Sequence, residues 1–555
     1  MKKLNVLAST GVVLGAITLT AAIGVNAQYV LAVPDKPGGS SQSGSGQGGP
    51  GGQGGSQGGG QSSSSSTEHT GATTFTSDTS EDGKTYTSST GSENAILQTG
   101  GTVSLTNPTI EKTGDSSDEN ADFYGTNAGV FVSSGTLNIT GGTVTTNGTH
   151  ANGVFAYDSG VINISDTTIK TSKSTSGGIM VTGGGTLNAS NLTIETQEGS
   201  SAAIRSDRGG GTMNVDGGTY TTNGVGSPAI YSTANINVAN AALVSNVSEG
   251  CVIEGLNSIT LNNTTVMNSN TKLNGNSETY KNIFIYQSMS GDAEEGTGTF
   301  TAKNTTFTES HGDQFFITNT TAVINLENNK FVNNTDASDY DAIFLRATTG
   351  KWGNSGSNGG EVTLNATDQN IKGDFYADSI STLAINLTSG SYLLGAVNSE
   401  NDAKSVSVSV DDDSVWVLTS DSYVTSFSGT ASKTVYGNGH KLYVNGTEVE
   451  TNSGTIPEMD ESDDGADADV TASTDELAST VESNDTTDSE AEETESNSMM
   501  LLFAILGGLA AAVVLAVVVA AIVSKKKKGP KFDAPSAPLN DNTPENPTPG
   551  EGLNG

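Results

Sequence analysis

A twelve-residue phrase recurs down the middle of the chain, and a repeat that short limits the available folds more than any other feature of the sequence. GTLNITGGTVTT begins at Gly135 and returns as GVINISDTTIKT from Gly160, GTLNASNLTIET from Gly185 and GTMNVDGGTYTT from Gly211. Fainter copies are NSITLNNTTVMN from Asn257 and TAVINLENNKFV from Thr321. Second apolar positions align at Val103, Leu137, Ile162, Leu187, Met213, Ile236, Ile259, Phe300, Val323, Val362, Leu383 and Val406. Within each unit apolar and polar residues alternate, and Gly, Asn, Asp or Ser interrupts, which is the pattern of strand, turn, strand. A unit of about 23 residues with three short strands cannot bury its apolar face alone, whereas units stacked in parallel share one continuous core. The expected fold is all-β: a single-chain parallel β-helix of about 10–12 coils, right-handed by the general handedness of parallel connections.

The alternation also assigns faces. Leu137 and Ile139 point inward, so Asn138 points outward. Its counterparts are Asn163, Asn188, Asn214, Asn237 and Asn325, with Thr260, Thr301 and Thr363 completing the column. At an inter-strand spacing of about 4.8 Å such amides can hydrogen-bond along the axis as a structural ladder. In the first strand of each coil the inward pairs are Val130 with Val132, Ile179 with Val181, Ile283 with Ile285, and Ile343 with Leu345. The column between them reads Leu97, Phe131, Phe155, Met180, Arg205, Tyr231, Val252, Phe284, Phe316 and Phe344, a largely aromatic stripe on the outside. Ten coils would make it about 45 Å long, more apolar surface than a soluble face usually leaves bare. Two readings are open. Insertions such as 291–298 and 350–360 fold over the stripe, or it packs on itself. Otherwise it is a groove in which Phe131, Phe155, Tyr231, Phe284, Phe316 and Phe344 stack on sugar faces or receive a partner, with Trp352 at its lip.

The reiterated G-[TV]-[LIM]-N-[IAV] phrase and the SDRGGGT stretch at 206–212 resemble secreted or surface-anchored right-handed β-helix proteins of the adhesin or autotransporter-passenger type. The resemblance spans roughly residues 93–447, implies a β-helix displayed at a surface, and transfers no catalytic residue. The chain departs from autotransporters in showing no C-terminal membrane barrel pattern.

The flanks supply a route and an anchor. Lys2 and Lys3 precede an apolar stretch that closes on Val25, Asn26 and Ala27, so residues 1–27 read as a cleaved signal peptide. Residues 28–66 are a Gly/Ser/Gln-rich disordered arm and 67–92 a lead-in to the β-helix of 93–447. Residues 448–498 read as an acidic, extended stalk, with 16 acids and no base between 451 and 498. Residues 499–523 carry no charge and are long enough for a transmembrane α-helix. Lys525 to Lys528 follow, which puts the 524–555 tail in the cytoplasm.

Chemistry is constrained by what the chain lacks. A formal charge of −37, with Arg205, Arg208 and Arg346 as the only arginines, argues against nucleic acid and polyanionic substrates. The single Cys251 aligns with the inward Val130 and Ile179 and is expected to be a small core residue. Parallel β-helices also host polysaccharide hydrolases, but here Ser310, His311 and Gly312 precede Asn334, Thr335 and Asp336, with Asp411 to Asp413 later. That order departs from the polygalacturonase-like pattern, and no Arg-x-Lys element follows. Arg205 with Arg208 is the one arginine pair a lyase could use, and Asp207 is a nearby partner. The acidic sets Asp115, Asp118, Glu119 and Asp122, or Asp292, Glu294 and Glu295, match no known calcium loop spacing. No catalytic residue, metal or cofactor is expected. The expected function is a single-pass cell-membrane protein, adhesin-like, that binds glycans or neighbouring surfaces without catalysis. The alternatives are a membrane-tethered polysaccharide lyase or glycoside hydrolase, and a passive spacer or coat element.

Overall fold

A computed structural model describes residues 68–275, 277–333 and 343–459. The segments expected to be signal peptide, arm, membrane span and tail, and most of the expected stalk, lie outside the described residues. Among those described, no helix is long and apolar enough to cross a membrane.

Three strands make each coil. In the first they are β1 (Gly71–Phe75), β2 (Thr79–Asp82) and β3 (Thr85–Ser88); in the second, β4 (Asn94–Gln98), β5 (Thr102–Thr106) and β6 (Thr109–Lys112). Each pairs in parallel with its successor: Thr73 faces Ile96, Thr79 faces Val103 and Tyr86 faces Ile110. Continued along the chain, the first strands build a 12-stranded parallel sheet. The second and third strands join in a 22-stranded sheet, because in two coils they run on without a break, as Gly185–Thr196 and Gly211–Thr222. This is a parallel β-helix solenoid. Its stacking begins at Gly71, so the expected lead-in at 67–92 is itself a coil. The polar residues there hid it: Thr79 and Glu81 occupy the inward columns of Val103 and Leu105, yet stay half-exposed because an end coil lacks a neighbour on one side. The Tyr86 hydroxyl donates to the Glu81 carboxylate and closes that end.

The turn between second and third strands explains much of the Asn content. Its single corner residue has positive φ at Asn107 (47°), Asp166 (52°), Asn191 (59°), Asn240 (54°), Asn263 (51°) and Asn304 (50°). Asn and Asp reach this left-handed region more readily than other side chains with a Cβ. They also stack: Asn263 donates to Asn240 at 2.7 Å and Asn328 to Asn304 at 2.9 Å. The expected ladder on the second strands is made of the same bonds. Asn163 donates to Asn138, Asn188 to Asn163 and Asn214 to Asn188, each at 2.9 Å, and Asn237 donates to Asn214 at 3.1 Å.

Farther along, the register differs from the sequence alignment. Phe300 pairs with Ile324, not Val323, and Ile324 with Leu364. Val323 lies on the outer face between Thr299 and Thr363. The ladder therefore bypasses Thr363 and runs from Asn325 to Asn365 and Asn386, at 2.9 Å per step. Here the second strands lengthen to seven or eight residues, as in Thr297–Lys303 and Thr320–Glu327. A third inward position then appears, and a phrase of two inward residues can be laid on it in two ways. Inside, Val130, Val154, Ile179, Ile204, Ile230, Cys251, Ile283, Phe315, Leu345 and Phe375 form one unbroken column of neighbours. At the C-terminal end an antiparallel pair, Leu442–Val444 with Thr447–Val449, ends the parallel stacking.

Candidate binding site

The outward column of the first sheet pairs Leu97, Phe131, Phe155, Met180, Arg205, Tyr231, Val252, Phe284 and Phe316 one above the other. Phe316 then pairs with Arg346 and Arg346 with Tyr376. Phe344 is thus not in the stripe. It belongs to the interior, with its ring 5.6 Å from Phe315 and 5.4 Å from Phe375. Leu345 and Ala347 are the buried inward pair of that coil, and Ile343 is only half-buried.

The stripe is covered in two places. Phe131, Phe155 and Met180 are fully buried with Leu97 and Ala128. The cover includes a short helix, α1 (Asn120–Tyr124), and the His69 ring, stacked on Phe131 at 4.1 Å. Burial lowers the His69 pKa to about 4. Helix α1 is fixed by side chains from distant coils. Thr182 donates to the Phe123 carbonyl at 2.8 Å, the Arg208 guanidinium lies 3.7 Å from the Phe123 ring centre, and Asp122 takes His150 at 2.7 Å and Arg205 at 3.6 Å. The second cluster is Val252, Phe284, Tyr286 and Phe316, with Tyr231 and Trp352 half-buried against it. Phe284 and Tyr286 stack at 4.4 Å, and Trp352 packs on both at 5.2 and 5.1 Å. Between the clusters the buried Arg205 holds Asp207 at 3.2 Å, and the buried Glu254 accepts the hydroxyls of Tyr231, Tyr286 and Ser288. The two arginines singled out in the sequence are occupied: Arg205 as above, and Arg208 by Asp292 at 2.6 Å.

The stripe opens at its C-terminal end. Phe316 and Lys281 adjoin a cavity of about 210 Å³ bordered by Trp352, Tyr376 and Arg346, with Ser277, Thr279, Thr348 and Thr349 supplying hydroxyls. Trp352 and Tyr376 are half-exposed. Lys281 Nζ stands 4.6 Å from the Phe284 ring centre, and the Arg346 guanidinium 5.2 Å from that of Tyr376. Burial lowers the Lys281 pKa against the pull of Glu249, and raises that of Asp313 against the pull of Arg346. Of the expected stripe, Phe316 and Trp352 line this cavity, Phe284 lies beneath Trp352, and Phe131, Phe155, Tyr231 and Phe344 lie elsewhere. Sequence reasoning missed Lys281, Arg346 and Tyr376. Placing Arg346 in the column instead of Phe344 would have found the last two.

Of the triplets weighed for hydrolysis, those at 310–312 and 411–413 lie among the described residues. His311 Nδ1 lies 3.1 Å from the Ser269 carbonyl, and Asp411 accepts backbone N–H groups of Ser389 and Ser414 in a turn. Residues 334–336 are outside the described residues. Among the described residues no group of three His, Cys, Asp or Glu is placed to hold a metal ion. No family model, curated protein or solved structure matches the chain.

Proposed function

We propose that this chain is an adhesin-like, non-catalytic surface protein whose β-helix presents a carbohydrate-binding pocket at Trp352 and Tyr376. The observation that carries the reading is that pocket. Two half-exposed aromatic rings border a cavity of about 210 Å³ edged with hydroxyls, at the one end of the stripe where the rings are not buried. The cavity is lined mostly by polar and charged side chains, with the Phe316, Trp352 and Tyr376 rings among them. The C–H faces of a pyranose match an aromatic face, while its hydroxyls match Ser277, Thr348 and Thr349. A rigid solenoid displays such a site well, since binding residues are best held by packed elements. The flanking sequence fits display: a cleaved signal at 1–27, an acidic stalk that begins after the paired strand Thr447–Val449 and runs to 498, and a span at 499–523 with its C-terminus in the cytoplasm. A right-handed coil is part of the same reading.

Full-length protein in detergent micelles, applied to a glycan array beside Trp352→Ala, tests the proposal. Binding to a set of glycans that disappears in Trp352→Ala, with the melting temperature held within a few degrees, is the expected result. An array with no signal, or signals indifferent to Trp352, would overturn it.

A further inference from the structure

The cations around the pocket are each already paired with a carboxylate. Lys281 Nζ is 3.3 Å from Glu249, Arg346 Nε is 2.6 Å from Asp313, and Lys351 Nζ is 3.0 Å from Glu278. Glu249 and Asp313 are buried, with side-chain exposures of 7% and 0%, so neither can swing into water and hand its cation to a ligand. Separating such a pair leaves a buried charge without compensation, which is strongly unfavourable. The third pair is exposed and weak, but Glu278 itself borders the cavity and would face any anion drawn to Lys351. Among the described residues, each of these three cations therefore faces a carboxylate, inside a chain of formal charge −37.

The insertion that carries Trp352 has a second side. There, two clefts of about 560 and 680 Å³ have Asn319, Thr320, Thr321 and Ser357 in both linings. Their walls are mostly amides and hydroxyls, with Glu295 bordering one, and Glu361 and Lys404 bordering the other. These volumes suit a ligand of several rings, whereas the Trp352 pocket has room for about one. Neither side of the insertion offers an excess of positive charge.

From this we infer that the ligand is an uncharged sugar with a ring held at Trp352 and Tyr376. The inference rests on the carbohydrate reading above and adds the chemical class. Hydrogen bonds from hydroxyls and amides, together with ring stacking, supply affinity that salt does not screen, in contrast to recognition of a uronate or sulfate.

The test is calorimetric titration of the full-length protein in detergent with cellohexaose, mannohexaose and xylohexaose, against hexamers of galacturonate and mannuronate. Each is run at about 50 and about 500 mM NaCl. At least one neutral hexamer should bind, with a Kd changing less than about twofold with salt and rising about tenfold or more in Trp352→Ala. Glu278→Gln, which removes the carboxylate paired with Lys351, should raise uronate binding. Uronate hexamers binding more tightly than neutral ones, with affinity falling steeply in salt, would overturn the class and leave the carbohydrate site standing. Folded protein that binds none of the five would overturn both.

Discussion

Phe155→Ala separates a stripe that is core from a stripe that is a binding face. The ring is fully buried, 5.6 Å from the Phe131 ring, in a cluster with Leu97, Ala128 and Met180. The α1 segment is close-packed on these rings: Gly125, at φ 70°, sits so near Phe131 that a Cβ there would come within 2.4 Å of it. Truncating a fully buried Phe costs about 3–5 kcal/mol, more where the surroundings cannot collapse into the gap. The polar ties from Asp122 and from Thr182 to α1 survive the change, so the loss falls on the apolar contact alone. A whole domain holds about 5–15 kcal/mol, and a solenoid unfolds by neighbouring repeats, so the protein should stay folded while residues 113–132 open locally. Hydrogen exchange on the full chain should show those amides speeding up by about two to three and a half orders of magnitude, at about 1.4 kcal/mol per tenfold. Trp352→Ala, at a half-exposed edge, should leave the same amides within about threefold. If exchange over 113–132 in Phe155→Ala stays within about tenfold of the parent, the ring is not core and the burial argument fails.

The two histidines of this region should give its cover opposite pH slopes. His69 has a pKa depressed to about 4, so its contribution is present above the unfolded value of 6.5 and lost as pH falls towards 4; His69→Leu should abolish that acid loss in exchange experiments. His150 is raised by its hydrogen bond to Asp122, so its contribution is present below 6.5 and lost as pH rises through the raised value. Protection of 113–127 should fall on that alkaline side, and a His150→Gln variant with an unchanged alkaline slope would refute the assignment. In the ladder, Asn188 both donates to Asn163 and accepts from Asn214, whereas Asn237 donates to Asn214. Asn188→Ala should cost about 1–2 kcal/mol and Asn237→Ala about half of that, read from urea midpoints; equal costs would argue against stacked bonds as the source. Cys251 is fully buried and burial pushes its thiol pKa up, so folded protein should resist iodoacetamide. Cys251→Ala should keep the fold at a cost of about 1 kcal/mol, and a loss of several times that would mark a tighter packing role.

What the sequence made legible was local. Period-two alternation placed Leu137, Asn138 and Ile139 on their faces, and the stacked repeat aligned Asn138 to Asn237, because a parallel in-register pairing copies each strand onto the next. Where the rule depended on neighbours it failed. The first coil has only one neighbour and could afford Glu81 in an inward column. The coils after Lys303 have longer second strands and interrupting insertions, so Val323 was placed one residue out of register and Phe344 two. The cover over Phe131 was illegible for another reason. Helix α1 has five residues and no side-chain cap, and it is held by Thr182 and Arg205, which are 59 and 83 positions from the residues they touch.

The location of the pocket follows from how the covers relate to the stack. Each insertion brings groups that match the outward residue beneath it: the α1 segment sets its C-cap Gly125 on Phe131 and its Asp122 toward Arg205, and the 348–359 segment sets Trp352 on Phe284. Such matching keeps buried charges paired and apolar rings dry. It holds only where an insertion supplies a partner for the outward residue beneath it, as Asp122 does for Arg205. After Phe316 the column changes to Arg346 and Tyr376, whose polar ends favour water. The last cover therefore ends against residues that it cannot bury, and its own ring, Trp352, is left with one side on Phe284 and Tyr286 and the other bordering open space. An aromatic side chain in that position is held firmly by its packed side and remains available on its free side. Moving the boundary should move the site: Arg346→Phe combined with Asp313→Asn, which extends the apolar column by one coil without leaving a buried carboxylate unpaired, should draw Trp352 down and reduce its solvent exposure. Acrylamide quenching of Trp352, with the fully buried Trp416 as internal reference, reads that change directly, and unchanged quenching in the variant would show that something other than the column fixes the end of the cover.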